Sequence, residues 1–94
     1  MIVRHADRYL LDGPVTLDNV GALIAEGDAF EGDKVIVDLA GVTRTDSSAL
    51  SLLLEWTRRF GGSGRQIAFT KLSQDMQSLA ALYGVADLIP IAAD

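Results

Sequence analysis

VIVDLAGVTRTDSSALSLLLEW, residues 35–56, is the stretch whose reading decides the fold. It opens on three consecutive β-branched residues, Val35, Ile36 and Val37. Uninterrupted by polar residues, they predict a strand over 34–39 that is covered on both faces. It closes on ALSLLLEW, whose apolar residues recur at helical spacing. Between the two, LAGVTRT predicts a loop and TDSS a helix start. One segment therefore carries a strand, the loop leaving its C-terminal end, and a helix.

Working outward, DGP at 12–14, EGD at 31–33, GGSG at 61–64 and Gly84 punctuate the rest of the chain. RYLLD (8–12) predicts a short strand, paired with another around Ile2–Arg4. Thr16 is a fair N-cap for a helix with Leu17, Val20, Leu23 and Ile24 on one face. RQIAFTK (65–71) predicts a further strand. Ser73 then caps a helix carrying Leu72, Met76, Leu79, Ala80 and Tyr83 on one side, stopped by Gly84. The tail, DLIPIAAD, adds a short extended piece. A β-α-β-α-β-α order in 94 residues predicts one α/β domain, residues 1–94: a mixed β-sheet of about four strands packed with three to four α-helices.

Composition excludes several function classes. Without cysteine there is no disulfide, thiolate catalysis or cysteine-ligated zinc. The single histidine, His5, has no second imidazole with which to build a metal site or a relay. A net charge of −5 argues against nucleic acid, whose binding needs clustered Lys and Arg. The acidic group Glu26, Asp28, Glu31 and Asp33 lacks the ligand alternation of a calcium loop and reads as a solvated helix end. GGSG follows a helix and precedes a strand, the reverse of a phosphate-cradling loop. Asp38 and Asp46 lack the third group and pocket that acid–base chemistry needs. Asp38 is instead expected to satisfy backbone N–H groups where its strand ends. No enzyme activity, cofactor or metal is expected. No apolar run approaches the roughly 20 residues that span a bilayer, and MIVRHADR lacks a signal peptide's hydrophobic region. A cytoplasmic location is expected, with any membrane connection made through a partner.

On a helical wheel, Ser47, Ser48, Ser51, Glu55, Arg58 and Arg59 fall within an arc of about 120°. Apolar residues fill most of the remainder, so the helix is predicted to be largely buried with one narrow polar stripe. Trp56 lies mid-way round the apolar arc and reads as core. Leu52 and Leu54 border the stripe and are expected to be partly exposed. Asp46 or Ser47 could serve simply as an N-cap, worth about 1 kcal/mol. Yet one cap needs one residue and TDSS offers four. The excess of hydroxyls also suits a protein contact or a phosphorylation switch.

The same residues carry a family resemblance. VIVDLAGVTRTDSSALSLLLEW resembles the signature of STAS domains, in which an apolar strand leads to D-[ST]-[STG]-G-L at a helix start. Ala49 departs from the usual glycine. Within the family the chain is most similar to the small stand-alone STAS subunit of the Mla phospholipid-transport ABC system. Its trimmed ends and LAALYGVADLIP share that likeness. The resemblance implies a subunit docked on the cytoplasmic ATPase at the inner membrane, with Ser47 at the contact. The surface so implied is Arg44, Thr45, Asp46, Ser47, Ser48, Ser51 and Glu55, with Leu52 or Leu54. An anti-sigma-factor antagonist, phosphorylated at Ser47, would use the same surface. A nucleotide or small-molecule sensor at this loop would find no basic cradle beyond Arg44.

Overall fold

The computed structural model describes residues 1–92. Its chain opens with an antiparallel pair, β1 (Ile2–His5) and β2 (Arg8–Leu11), joined by a tight turn at Ala6 and Asp7. A short strand, β3 (Gly13–Val15), leads to helix α1 (Val20–Glu26) and a single 3₁₀ turn, Gly27–Ala29. Next come β4 (Lys34–Asp38), β5 (Val42–Thr45) and the long helix α2 (Ser48–Gly62). Strand β6 (Gln66–Thr70), helix α3 (Gln74–Leu82) and a 3₁₀ turn at Ala86–Leu88 complete the fold.

The main sheet has the order β1-β2-β4-β6, antiparallel in its first pair and parallel in the others. The mixed α/β architecture expected from the sequence is therefore present, with four strands in the sheet and three α-helices. A parallel pair, β3 and β5, forms a second small sheet. Residues 42–45, read from sequence as loop, are thus a strand. The tail contributes one parallel bridge, Ile91 to Phe69, as its expected extended piece; residues 93 and 94 of that stretch lie outside the described residues.

Alternation along the strands sorts the sheet into two unequal faces. Tyr9, Leu11, Val35, Val37, Ile67 and Phe69 are buried in one core with residues of α1, α2 and α3. Their neighbours Leu10, Ile36 and Ala68 are only half-buried. The strand 34–38 is therefore not covered equally on both sides, because the three helices supply one apolar layer rather than two. Asp38 behaves as expected: its Oδ1 accepts from the Ala40 N–H at 2.8 Å, while Lys71 approaches Oδ2 at 3.5 Å.

An aromatic column joins the layers. Phe30 lies 4.5 Å from Tyr9 and 5.1 Å from Trp56 between ring centroids, and Trp56 stacks on Phe69 at 6.4 Å. Trp56 is 1% exposed, as core, and its Nε1–H donates to the Ile24 carbonyl at 3.3 Å. A Cβ on Gly27 would overlap the indole nitrogen. Glycine here lets the end of α1 lie against the Trp56 edge.

Two helix boundaries differ from expectation. Thr16 does not cap α1 with its side chain. Its N–H instead donates to Asn19 Oδ1 at 2.9 Å, its carbonyl accepts from Val20 N–H at 3.0 Å, and the helix begins at Val20. Leu17 consequently lies outside the helix and is 75% exposed. In α3, Ser73 Oγ accepts from the Met76 N–H at 3.1 Å, the expected cap. Met76 and Ala80 are buried and Leu72 and Leu79 half-buried, but Tyr83, placed on the same face by periodicity, is 58% exposed. It sits where α3 has run past the core, just before Gly84 ends the helix with φ +70°.

Candidate functional site: the turn and groove at the start of α2

Strand β5 delivers the chain to Asp46, and the Asp46 carboxylate organises the turn that follows. Oδ1 accepts from the Ser48 N–H at 2.8 Å and Oδ2 from the Leu17 N–H at 3.0 Å. The capping acceptor of α2 is thus Asp46. Ser47 occupies the helix boundary without a side-chain cap bond. Its hydroxyl is exposed and makes no hydrogen bond among the described residues. The local sequence explains this division of labour. A carboxylate sets a separate charged oxygen against each of the two N–H groups, whereas a hydroxyl has one neutral oxygen to serve both.

The two N–H groups, from Leu17 first and Ser48 second, hold the Asp46 carboxyl below its ordinary pKa, helped by the charge of Arg44. Because the folded value is depressed, the clamp's contribution is complete above the unfolded value of about 3.8. It is lost only as pH falls through the lower folded value. Glu55, gripped by Arg58 and Arg59, is lowered further, to about 2. In a carboxyl-resolved NMR titration, the Asp46 midpoint is therefore expected below 3.8 and that of Glu55 near 2. The Leu17 and Ser48 amide resonances should shift together with the Asp46 carboxyl as it protonates. A midpoint for Asp46 at or above 3.8 would show that the clamp does not persist in solution.

Along α2 the polar stripe lies as the wheel placed it. Ser47 and Ser51 are exposed, Ser48 and Glu55 half-buried, and Arg58 and Arg59 exposed. Glu55 is not free to meet a partner. Arg58 donates to it through Nε at 3.0 Å and Nη2 at 2.6 Å, Arg59 through Nε at 2.7 Å, and Arg59 also reaches Asp28 at 3.3 Å. Arg44 is exposed and Thr45 half-buried on β5, beside the turn.

The two leucines flanking the stripe part company. Leu54 is half-buried and reaches the surface, as expected. Leu52 is fully buried at 0% exposure, and its assignment to a contact surface is corrected. It faces the sheet side, where the core closes over it, an asymmetry that a wheel drawn for an isolated helix does not contain.

Ser47, Leu50, Ser51 and Leu54 form one wall of a shallow groove of about 300 Å³; Tyr83 and Val85, from the end of α3, form the other. Sequence reasoning missed Tyr83, Val85 and the exposed Leu17 as members of this surface. The signal for Tyr83 was its place in the last turn before Gly84, beyond the reach of the core. Among the described residues no group of three or more His, Cys, Asp or Glu side chains could hold a metal ion. His5 lies exposed on β1, away from the turn. The lining of the groove is two serine hydroxyls, one phenol and three apolar side chains. No helix among the described residues is long and apolar enough to cross a membrane.

The chain thus combines a mixed sheet backed by helices with a clamped, hydroxyl-bearing turn opening its longest helix. Residues 2–90 match the family model described as "Mlab, STAS domain", and the chain belongs to the STAS domain family. STAS domains act in protein–protein interactions. Among solved structures, the anti-sigma factor antagonist SpoIIAA in its unphosphorylated form superposes with a TM-score of 0.71 at 14% identity, covering 100% of this chain and 88% of its own. The phosphorylated form of the Bacillus cell fate determinant SpoIIAA gives 0.68 at 15% identity, with 100% and 91% covered. A sulfate transporter family protein from Wolinella succinogenes gives 0.69 at 16%, with 88% and 70% covered. At these identities the likeness is one of fold. No curated protein matches the chain significantly.

Proposed function

We propose that this chain is a non-enzymatic accessory subunit of an ABC transporter that moves phospholipids to maintain outer-membrane lipid asymmetry. It docks on the transporter's cytoplasmic ATPase and is held at the inner membrane by that contact alone. The docking surface comprises Arg44, Thr45, Asp46, Ser47, Ser48 and Ser51 with Leu54, and the groove wall from α3. Glu55 contributes by fixing Arg58 and Arg59 rather than by direct contact. The observation that carries this reading is the exposed, unbonded Ser47 hydroxyl on a turn locked by Asp46, at the lip of an apolar groove. A small hydroxyl on a rigid rim lets a partner approach closely, and the groove receives an apolar side chain beside it. The sequence likeness of 35–56 to the Mla subunit, together with the family description, supports this choice of partner class.

Ser47→Arg is expected to abolish co-purification with the ATPase while leaving the far-UV spectrum and melting temperature unchanged, since the residue is exposed. Retained co-purification would overturn the docking surface. The free hydroxyl also favours a second reading, an anti-sigma-factor antagonist switched by phosphorylation at Ser47. Incubation with a partner-switching kinase and ATP would then add one phosphate at that residue. An intact mass that never shifts removes this alternative.

A further inference from the structure

The other end of α2 carries a second surface. Its last turns and the N-terminal halves of β4 and β6 enclose a groove of about 460 Å³, within the range of about 300–1,000 Å³ typical of small-molecule sites. Val35, Phe60, Ile67, Ala68 and Pro90 give it an apolar lining, and Lys34 and Arg65 stand beside them.

Five of the other six Lys and Arg side chains are ion-paired. Arg4 pairs with Glu31, Arg8 with Asp7 and Asp38, Lys71 with Asp38, and Arg58 and Arg59 with Glu55. Arg44 lies in the field of Asp46. Among the described residues three cations, Arg44, Lys34 and Arg65, have no ion pair, and two of the three, Lys34 and Arg65, line this groove. A chain of net charge −5 has carboxylates to spare, so two uncompensated cations beside one apolar groove form a local positive end in a negative molecule.

Arg65 is also held ready. Its Nε donates to the Gly32 carbonyl at 2.8 Å and its Nη2 to the Phe30 carbonyl at 2.7 Å, both neutral acceptors. Its guanidinium lies 4.2 Å over the Phe60 ring. These contacts fix the plane of the group and leave Nη1 for an anion, with the ammonium of exposed Lys34 as a second donor.

We propose that this groove binds a single-chain anionic amphiphile, a fatty carboxylate, with its chain along the apolar lining and its carboxylate between Lys34 and Arg65. The charge complementarity selects the headgroup, and the volume suits one acyl chain rather than a protein helix of about 10–12 Å diameter. The site is independent of the docking reading of the Ser47 turn and stands or falls without it.

Calorimetric titration with laurate below its micellar concentration should give saturable one-to-one binding. Dodecyltrimethylammonium, with the same chain and the opposite charge, should bind at least about tenfold more weakly. Shortening the acid by one methylene should weaken binding by about fourfold. Lys34 is an exposed strand end, so Lys34→Glu should fold normally and lose about tenfold or more in laurate affinity. Ala68→Leu, which narrows the groove and keeps both charges, should also weaken binding. Amide shifts on titration should centre on Lys34 and Ile67. Equal affinity for the cationic amphiphile, or unchanged affinity in Lys34→Glu, would overturn the proposal. So would shifts centred on Ser47 and Tyr83, or saturation by an acidic amphipathic peptide with none by laurate.

Discussion

Trp56→Ala is expected to cost about 3–5 kcal/mol of folding stability, a large share of the roughly 5–15 kcal/mol that holds a domain together. The ring is 1% exposed and lies between Phe30 and Phe69. Its removal takes away the contact linking the end of α1, the middle of α2 and the sheet. It also leaves the Ile24 carbonyl without the indole N–H that now donates to it, and the Gly27 backbone facing a void. For a chain of this size each kcal/mol lowers the melting temperature by about 4–8 °C. Urea unfolding should therefore show a much lower midpoint at an unchanged slope. A loss under about 1 kcal/mol would mean that the core closes around the missing ring.

The second large effect is a contrast between two leucines two positions apart. Leu52→Ala should destabilise the fold by about 2–5 kcal/mol, because the side chain is wholly enclosed. Leu54→Ala, half-exposed on the groove wall, should cost much less stability and instead weaken capture of the ATPase. Thermal melts and co-purification measured side by side separate the two roles. Equal loss of stability in both variants would place Leu54 in the core and remove it from the docking surface.

These two residues also show how far the sequence was legible. The run 35–37 was readable as a strand, though its unequal coverage was not. The apolar arc of α2 was readable because burial on one face leaves a periodic trace in the chain. So were Trp56 as core and the cap at Ser73. Leu52 and Leu54 sit at matching margins of that arc, and periodicity gives them the same standing. Only the position of the sheet relative to α2 tells them apart. Tyr83 shows the converse: it keeps the period of α3, but the helix outlasts the core beneath it. The β3–β5 pair left no trace at all, since three- and four-residue strands are too short to establish an alternation. Asp46 was visible as a capping candidate. Its second acceptance, from Leu17, was not, because that bond joins segments brought together only by the β3–β5 pairing. Lys34 and Arg65 escaped notice for the same reason: whether a cation is paired is settled by the fold, while the sequence lists only how many there are.

The β1–β2 hairpin and the β4–β6 pair form on very different terms. His5 meets Arg8 across a local turn, whereas Lys34 meets Gln66 only after the chain has travelled through β5 and all of α2. Closing that long excursion is the slow part of folding a chain whose key pairing is non-local. Before it closes, α2 lacks the β4–β6 part of the sheet against which its apolar arc is set. Order of assembly thus bears on recognition: a partner that reads the groove beside Ser47 is expected to prefer the finished domain, in which α2 and α3 supply its two walls.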